Sequence, residues 1–250
     1  FLVPGLIVGA IVLFWLAIQL IIPGAQNDHR RLITRLERSG TTRRHTDHEL
    51  ANYHPDESNA EEKSDHAVAK QLGDVLQRKI NSGDVDAQSV TMRYYICRAI
   101  GEFRVDDGLP ALLLAARIRR SPDEIDAQLG ALEGMALLTS TMIARDPAWA
   151  EAQPEVTKTL LELAEDEEDR VRSNAAYALG ILGNEEAIDA LTRLADDPYP
   201  NTRYNAAITL GRLGNAAAVE TLAEMLDPDE TAGIDLEQTP AARPGKRTTL

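Results

Sequence analysis

The sequence predicts an all-α chain: an α-solenoid of repeated helix pairs behind a single N-terminal transmembrane helix. Three observations carry this prediction. Residues 1–22 contain no charged side chain. Residues 171–184 (VRSNAAYALGILGN) and 202–215 (TRYNAAITLGRLGN) agree at nine of fourteen positions, at an offset of 31. Leu and Ala recur every three or four residues through both copies and the segments before them, the period of one helix face.

The first 22 residues (FLVPGLIVGAIVLFWLAIQLII) would span roughly 30 Å as a helix, the thickness of a bilayer core. Pro4 falls near the start, where its missing N–H costs little, and Pro23-Gly24 closes the run. A cleaved signal peptide is the alternative. Its apolar core would be only about 7–15 residues and would end in small residues, whereas Ile21-Ile22-Pro23 is a poor cleavage site. Arg30, Arg31, Arg35, Arg38, Arg43 and Arg44 follow the run, and no Lys or Arg precedes it. The positive-inside rule therefore places the bulk of the chain on the cytoplasmic side of the membrane. The sequence begins with Phe, so upstream residues are expected, and a basic extension there would weaken that orientation. Gly5 and Gly9 form a small-xxx-small pair through which two spans could close into a homodimer; a plain lipid-facing anchor is the alternative.

Charge is unevenly spread. The whole chain carries 26 Lys+Arg against 40 Asp+Glu, a net −14. Residues 1–50 hold six basic and four acidic residues, so the rest carries −16. That balance argues against nucleic acid as a partner, because phosphate backbones require a basic surplus. One Cys excludes a disulfide framework and a multi-thiolate metal site.

Each repeat reads as two helices. The first carries Leu and Ala at helical spacing, as in Ile188, Leu191, Leu194 and Ala195, and an acidic turn such as Asp196-Asp197-Pro198 follows. The second buries Val171, Ala175, Ala178, Leu179 and Leu182, then stops at Gly183, as a C-terminal glycine should. An earlier copy lies at residues 92–103, aligned with 171–182. Gly180 and Gly211 recur inside the second helices, where glycine costs about 1 kcal/mol relative to alanine, so they mark close helix approach.

The Val-Arg-x-x-Ala-Ala-x-Ala-Leu-Gly-x-Leu-Gly run and the Leu-x-x-Leu-Ala-x-Asp element resemble HEAT repeats of the short bacterial type, strongly over 155–227 and less fully over 66–118. Residues 121–145 lack the Arg and the paired glycines. The span followed by such units also resembles membrane-anchored bacterial HEAT-repeat proteins. The resemblance implies a binding surface on the second helices, and Asp and Arg residues that tie neighbouring repeats. Similar short repeats occur in phycobilin lyases, which handle chromophore attachment. The domain reading is an anchor over 1–24, a divergent first repeat over 25–54 and an acidic loop over 55–65. The solenoid covers 66–227, and 228–250 is a loop with the start of a further helix. A capping unit is missing from that end, which points to a longer chain.

Candidate sites divide into two sets. Arg93, Arg172 and Arg203 recur at one position and Asp166 and Asp197 at another; with Gly180, Gly183, Gly211 and Gly214 they read as structural repeat residues. Tyr94, Arg98, Glu102, Tyr177, Tyr204 and Arg212 occupy positions that vary while the packing positions repeat. Tyr and Arg are enriched at interface hot spots, so these six form the candidate surface for a protein partner; the alternative is that Tyr94 and Tyr204 cover neighbouring helices. His45, His48, His54 and His66 match no standard zinc spacing, and residues 227–238 lack the Gly and Glu of a calcium loop. Cys97 aligns with Ala176 and Ala207 and reads as an inert packing thiol. No cofactor, metal or catalytic set is expected. The reading is a non-enzymatic membrane-anchored scaffold or adaptor; a lyase-like chromophore handler or a subunit of a larger membrane complex are the alternatives.

Overall fold

The computed structural model describes residues 62–227. The span at 1–22 with Gly5 and Gly9, the repeat at 25–54, His45, His48 and His54, and the segment 228–250 lie outside the described residues. Among the described residues ten α-helices follow one another: α1 (His66–Asn81), α2 (Ala87–Gly101), α3 (Leu109–Arg117), α4 (Ile125–Arg145), α5 (Trp149–Ala152), α6 (Pro154–Leu163), α7 (Asp169–Leu182), α8 (Glu185–Leu194), α9 (Pro200–Arg212) and α10 (Val219–Leu226). Short 3-10 turns occupy Glu62–Ser64, Pro122–Glu124 and Ala216–Ala218. No helix among the described residues is long and apolar enough to cross a membrane.

Local chemistry sets the helix ends. The Asp65 carboxylate accepts from the Ala67 and Val68 amides at 2.9 and 3.1 Å and starts α1. The Asn184 side-chain carbonyl accepts from Ala187 N at 2.9 Å and starts α8. Each cap satisfies amides that the helix leaves without partners. Gly183 ends α7 at φ 59°, a left-handed conformation that a side chain would strain, and its amide donates to Leu179 O at 3.0 Å. Pro154 and Pro200 open α6 and α9, where a missing N–H breaks no helical bond.

The helices form two layers. α1, α3, α6 and α8 stack in one; α2, α4, α7 and α9 stack in the other; each first helix packs on its own second helix, and α10 packs on α9. Between the layers lie Leu76, Ile96, Leu112, Leu132, Leu160, Leu179 and Leu191, all fully buried. Aliphatic side chains of this size suit layers about 8–10 Å apart.

The unit that lacks the repeat motif is the most tightly packed. A Cβ on Gly134 would overlap Cys97 O, and one on Gly101 would lie 2.6 Å from Gly134 O. The α2 and α4 backbones touch there, which any side chain would prevent. The insertion at 145–154 holds α5 within it. Trp149 is buried, and its indole N–H donates to Asp106 Oδ2 at 2.8 Å, locking the insertion to the α2–α3 connection. The end of the acidic loop is also held. Arg104 N donates to Lys63 O at 2.7 Å within the turn Glu62–Ser64.

Candidate functional site

Among the described residues, five arginine–carboxylate pairs lie at or beside the turns that join first to second helices. Arg172 makes a bidentate contact with Asp197 of the next repeat, at 2.8 and 3.1 Å. Its Nη1 also donates to Asp166 O and Glu167 O of its own turn, at 2.8 and 3.1 Å. Arg203 repeats the pattern, donating to Asp197 O and Pro198 O at 3.0 and 3.2 Å and pairing with Glu224. Arg93 pairs with Glu124 at 2.6 Å and donates to Asp84 O at 3.2 Å. One guanidinium thus satisfies loose turn carbonyls and bridges to the next unit, a use suited to its planar fork of donors.

In the unit without the motif a different residue makes the bridge. Arg119, in the turn before α4, donates to Asp166 at 2.8 Å and to Gln128 Oε1 at 3.2 Å; Gln128 in turn donates to Ala116 O at 2.7 Å. Asp166 and Asp197 also accept from their own turn amides, Glu168 N at 2.9 Å and Tyr199 N at 2.8 Å. Glu124 is enclosed further: Arg120 donates to it through its backbone amide at 2.6 Å and through Nη2 at 2.7 Å. Burial alone would raise the Glu124 carboxyl; the Arg120 and Arg93 hydrogen bonds outweigh it and hold the group at about 2.

Gly180 and Gly211 sit where neighbouring side chains come close. A Cβ on Gly180 would overlap Thr209 Oγ1, and one on Gly211 would fall 2.8 Å from Leu222 Cδ1. Gly214, like Gly183, takes a positive φ, at 69°.

The opposite side of the second-helix layer is open. Four stripes line it: Thr91, Tyr94 and Arg98 on α2 with Glu102 at its end; Asp126, Glu133, Leu137 and Ser140 on α4; Arg170, Asn174, Tyr177 and Ile181 on α7; Asn201, Asn205, Ile208 and Arg212 on α9. Arg212 and Tyr177 are exposed, as is Arg98. Tyr94 is half-buried. Its hydroxyl donates to Glu133 at 3.0 Å and accepts from Arg98 at 3.3 Å, and the Arg98 guanidinium lies 5.9 Å from the Tyr94 ring centroid. Burial pushes the Tyr94 hydroxyl upward in pKa, against the Arg98 hydrogen bond. Glu102 is half-buried and faces Lys63 at 3.5 Å.

Tyr204 does not belong to this surface. It is 3% exposed, and its hydroxyl donates to Glu224 at 3.2 Å. Its counterpart Ser173 is buried too. That position faces the next helix in the stack, so the expectation of an exposed tyrosine there is corrected: the side chain is packing. Variation at that position reflects different neighbours at each junction rather than solvent. The residues that sequence reasoning missed are Arg119, Arg120, Glu124 and Glu224, and Leu137 on the open face. Glu124 lies 31 residues after Arg93, Asp197 lies 25 after Arg172 and Glu224 lies 21 after Arg203, so no constant spacing marks the pairs.

Cys97 is wholly buried, and burial pushes its thiol well above the ordinary range. His66 pairs with Asp107 at 2.6 Å. No cluster of three metal-ligating side chains occurs among the described residues.

No curated protein matches the chain. The family model of HEAT repeats matches residues 114–201 and again 157–234. The match begins at the end of α3 and includes α4, the helix without the recognisable motif, and the same two-layer stacking continues N-terminally through α1 and α2. Residues 114–234 are thus similar to HEAT repeats, as the paired helices, the Arg–Asp bridges between units and the glycine-ended second helices are arranged here.

Proposed function

We propose that the chain is a non-enzymatic scaffold that binds a protein segment across the open face of its second-helix layer. The observation that carries this reading is a row of exposed apolar side chains on three consecutive second helices: Leu137 at 36%, Tyr177 at 56% and Ile208 at 37% exposure. Neighbouring positions on the same helices are buried between repeats, so nothing in the stacking requires these three to be apolar. A solenoid offers such a face as a continuous platform, and aromatic side chains there supply contact area at low entropic cost. Residues 1–22 would hold this platform at the cytoplasmic face of a membrane; the 22 uncharged residues and the arginines after them support that placement.

A photo-crosslinking amino acid at position 177 or 208 of the full chain tests the binding face. A discrete adduct from these positions, absent when the probe stands at the first-helix residue Lys158, is expected. Equal adducts from both layers, or none from 177 and 208, would refute the face. Alkaline extraction and protease access to sealed vesicles test the anchor and its orientation. Release of the chain by alkali, or digestion of the solenoid from the periplasmic side, would overturn them.

A further inference from the structure

The α7–α9 part of the open face differs in charge from the rest of the chain, and the difference selects a partner. The chain as a whole carries −14. Its carboxylates crowd the turns between first and second helices, as at 165–169 and 196–197. By contrast α7 after Asp169 contains Arg170 and Arg172 and no acid, and α9 contains Arg203 and Arg212 and no acid. Three of these four arginines are engaged. Arg170 meets Asp126 at 3.0 Å, Arg172 meets Asp197, and Arg203 meets Glu224. Arg212 is exposed and makes no ion pair among the described residues.

Arg212 belongs to the same patch as the apolar row. Asn205 donates to Ser173 O at 2.9 Å, and Thr209 packs on Gly180. Those two contacts fix α7 and α9 side by side, which sets Tyr177 beside Ile208 and Ile181 beside Arg212 at equivalent repeat positions. A segment lying on Tyr177 and Ile208 therefore meets, on α9, a guanidinium unpaired among the described residues, whereas the carboxylates of the same face, Asp126 and Glu133 on α4, are already engaged by Arg170 and by Tyr94 and Arg98. A basic segment would be drawn to the acidic turns but would place its charge against Arg212 here.

We propose, building on the scaffold reading, that the α7–α9 part of the open face takes a short protein segment that combines aliphatic or aromatic side chains with an Asp or Glu, the carboxylate pairing with Arg212. The guanidinium fork gives the carboxylate a directed partner, and Tyr177 and Ile208 receive the apolar residues. Specificity against basic segments comes from the like charge at the patch.

The test uses a displayed library of random peptides, each about 12 residues long, the length of the short segments that such grooves recognise. The library is selected on the full chain in detergent. Enriched peptides are then measured by fluorescence anisotropy against the parent, Tyr177→Ser, Arg212→Glu and Arg212→Lys. Both altered sites are exposed, so the variants are expected to fold, and thermal melts verify it. Enrichment of apolar residues with Asp or Glu is expected. Binding should weaken at least about tenfold in Tyr177→Ser and in Arg212→Glu, and a peptide Glu→Lys change should restore binding to Arg212→Glu. Arg212→Lys should bind at an intermediate level. Peptides that lose binding in Tyr177→Ser but are indifferent to Arg212→Glu would overturn the acidic partner and leave the open-face reading standing. Basic peptides, or peptides indifferent to both changes, would overturn this inference, and indifference to both would also count against the open face.

Discussion

Glu124→Gln probes the bridge on which the middle of the solenoid depends. The Glu124 side chain has no solvent exposure, and its partner Arg93 has 3%. In the unfolded chain the carboxyl titrates near 4.5, against about 2 in the fold. At about 1.36 kcal/mol per pH unit this gap is worth about 3 kcal/mol. Because the folded pKa is the lower one, the contribution is complete above pH 4.5 and is lost as pH falls toward 2. More than half of it is gone by about pH 3. The glutamine keeps the shape but leaves Arg93 without its counter-charge, a loss of about 3 kcal/mol or somewhat more for a broken buried pair. Urea unfolding of the full chain, followed by helical circular dichroism at about pH 7 and about pH 3, reads both effects. Other carboxylates also titrate, so the difference between parent and variant isolates Glu124. The variant should be less stable by about 3 kcal/mol at about pH 7, and the gap should shrink to about 1 kcal/mol at about pH 3. A variant within about 0.5 kcal/mol of the parent at neutral pH, or a gap independent of pH, would refute the reasoning.

Three further outcomes follow from the packing. Tyr204→Ala should cost about 3 kcal/mol in the same unfolding assay and Tyr177→Ala less than about 0.5, because only the first is enclosed. Gly134→Ala should cost about 2 kcal/mol through the contact with Cys97 O, and Gly183→Ala about 1 kcal/mol through its positive φ, measured as shifts of the urea midpoint. Cys97 should resist a thiol-specific alkylating reagent in the folded chain and react only as urea opens the α2–α4 contact, followed by mass spectrometry.

Much of the helical framework was legible because its causes are local. Asp65 and Asn184 cap helices through atoms two or three residues away, and Gly183 ends one through its own φ. The stripe Val171, Ala175, Ala178, Leu179 and Leu182 is buried, as a 3.6-residue period requires of a stacked helix. The open face was only partly legible. Which side of a second helix meets solvent depends on how the next helix packs on it, and the contacting residues differ at each junction: Gly134 meets Cys97, Gly180 meets Thr209 and Gly211 meets Leu222. Tyr204 and Tyr94 illustrate the point: one is buried under α10 and the other spends its hydroxyl on Glu133 across the α2–α4 contact.

The repeating unit is written in chain order: two helices, a turn, a period and the glycines that stop and thin the second helix. These features depend on neighbours along the chain, so a single strand of letters contains them. How one unit holds the next is a matter of packing in three dimensions. Arg119 bridges to Asp166 where the repeat arginine is missing, because a long arginine in the turn reaches the same carboxylate from another backbone position. Glu124 meets Arg93 and Arg120 because α4 begins beneath both. Bridges of this kind are set by distance in space between residues 21 to 47 apart, and a side chain with several rotatable bonds can reach its partner from more than one place in the sequence.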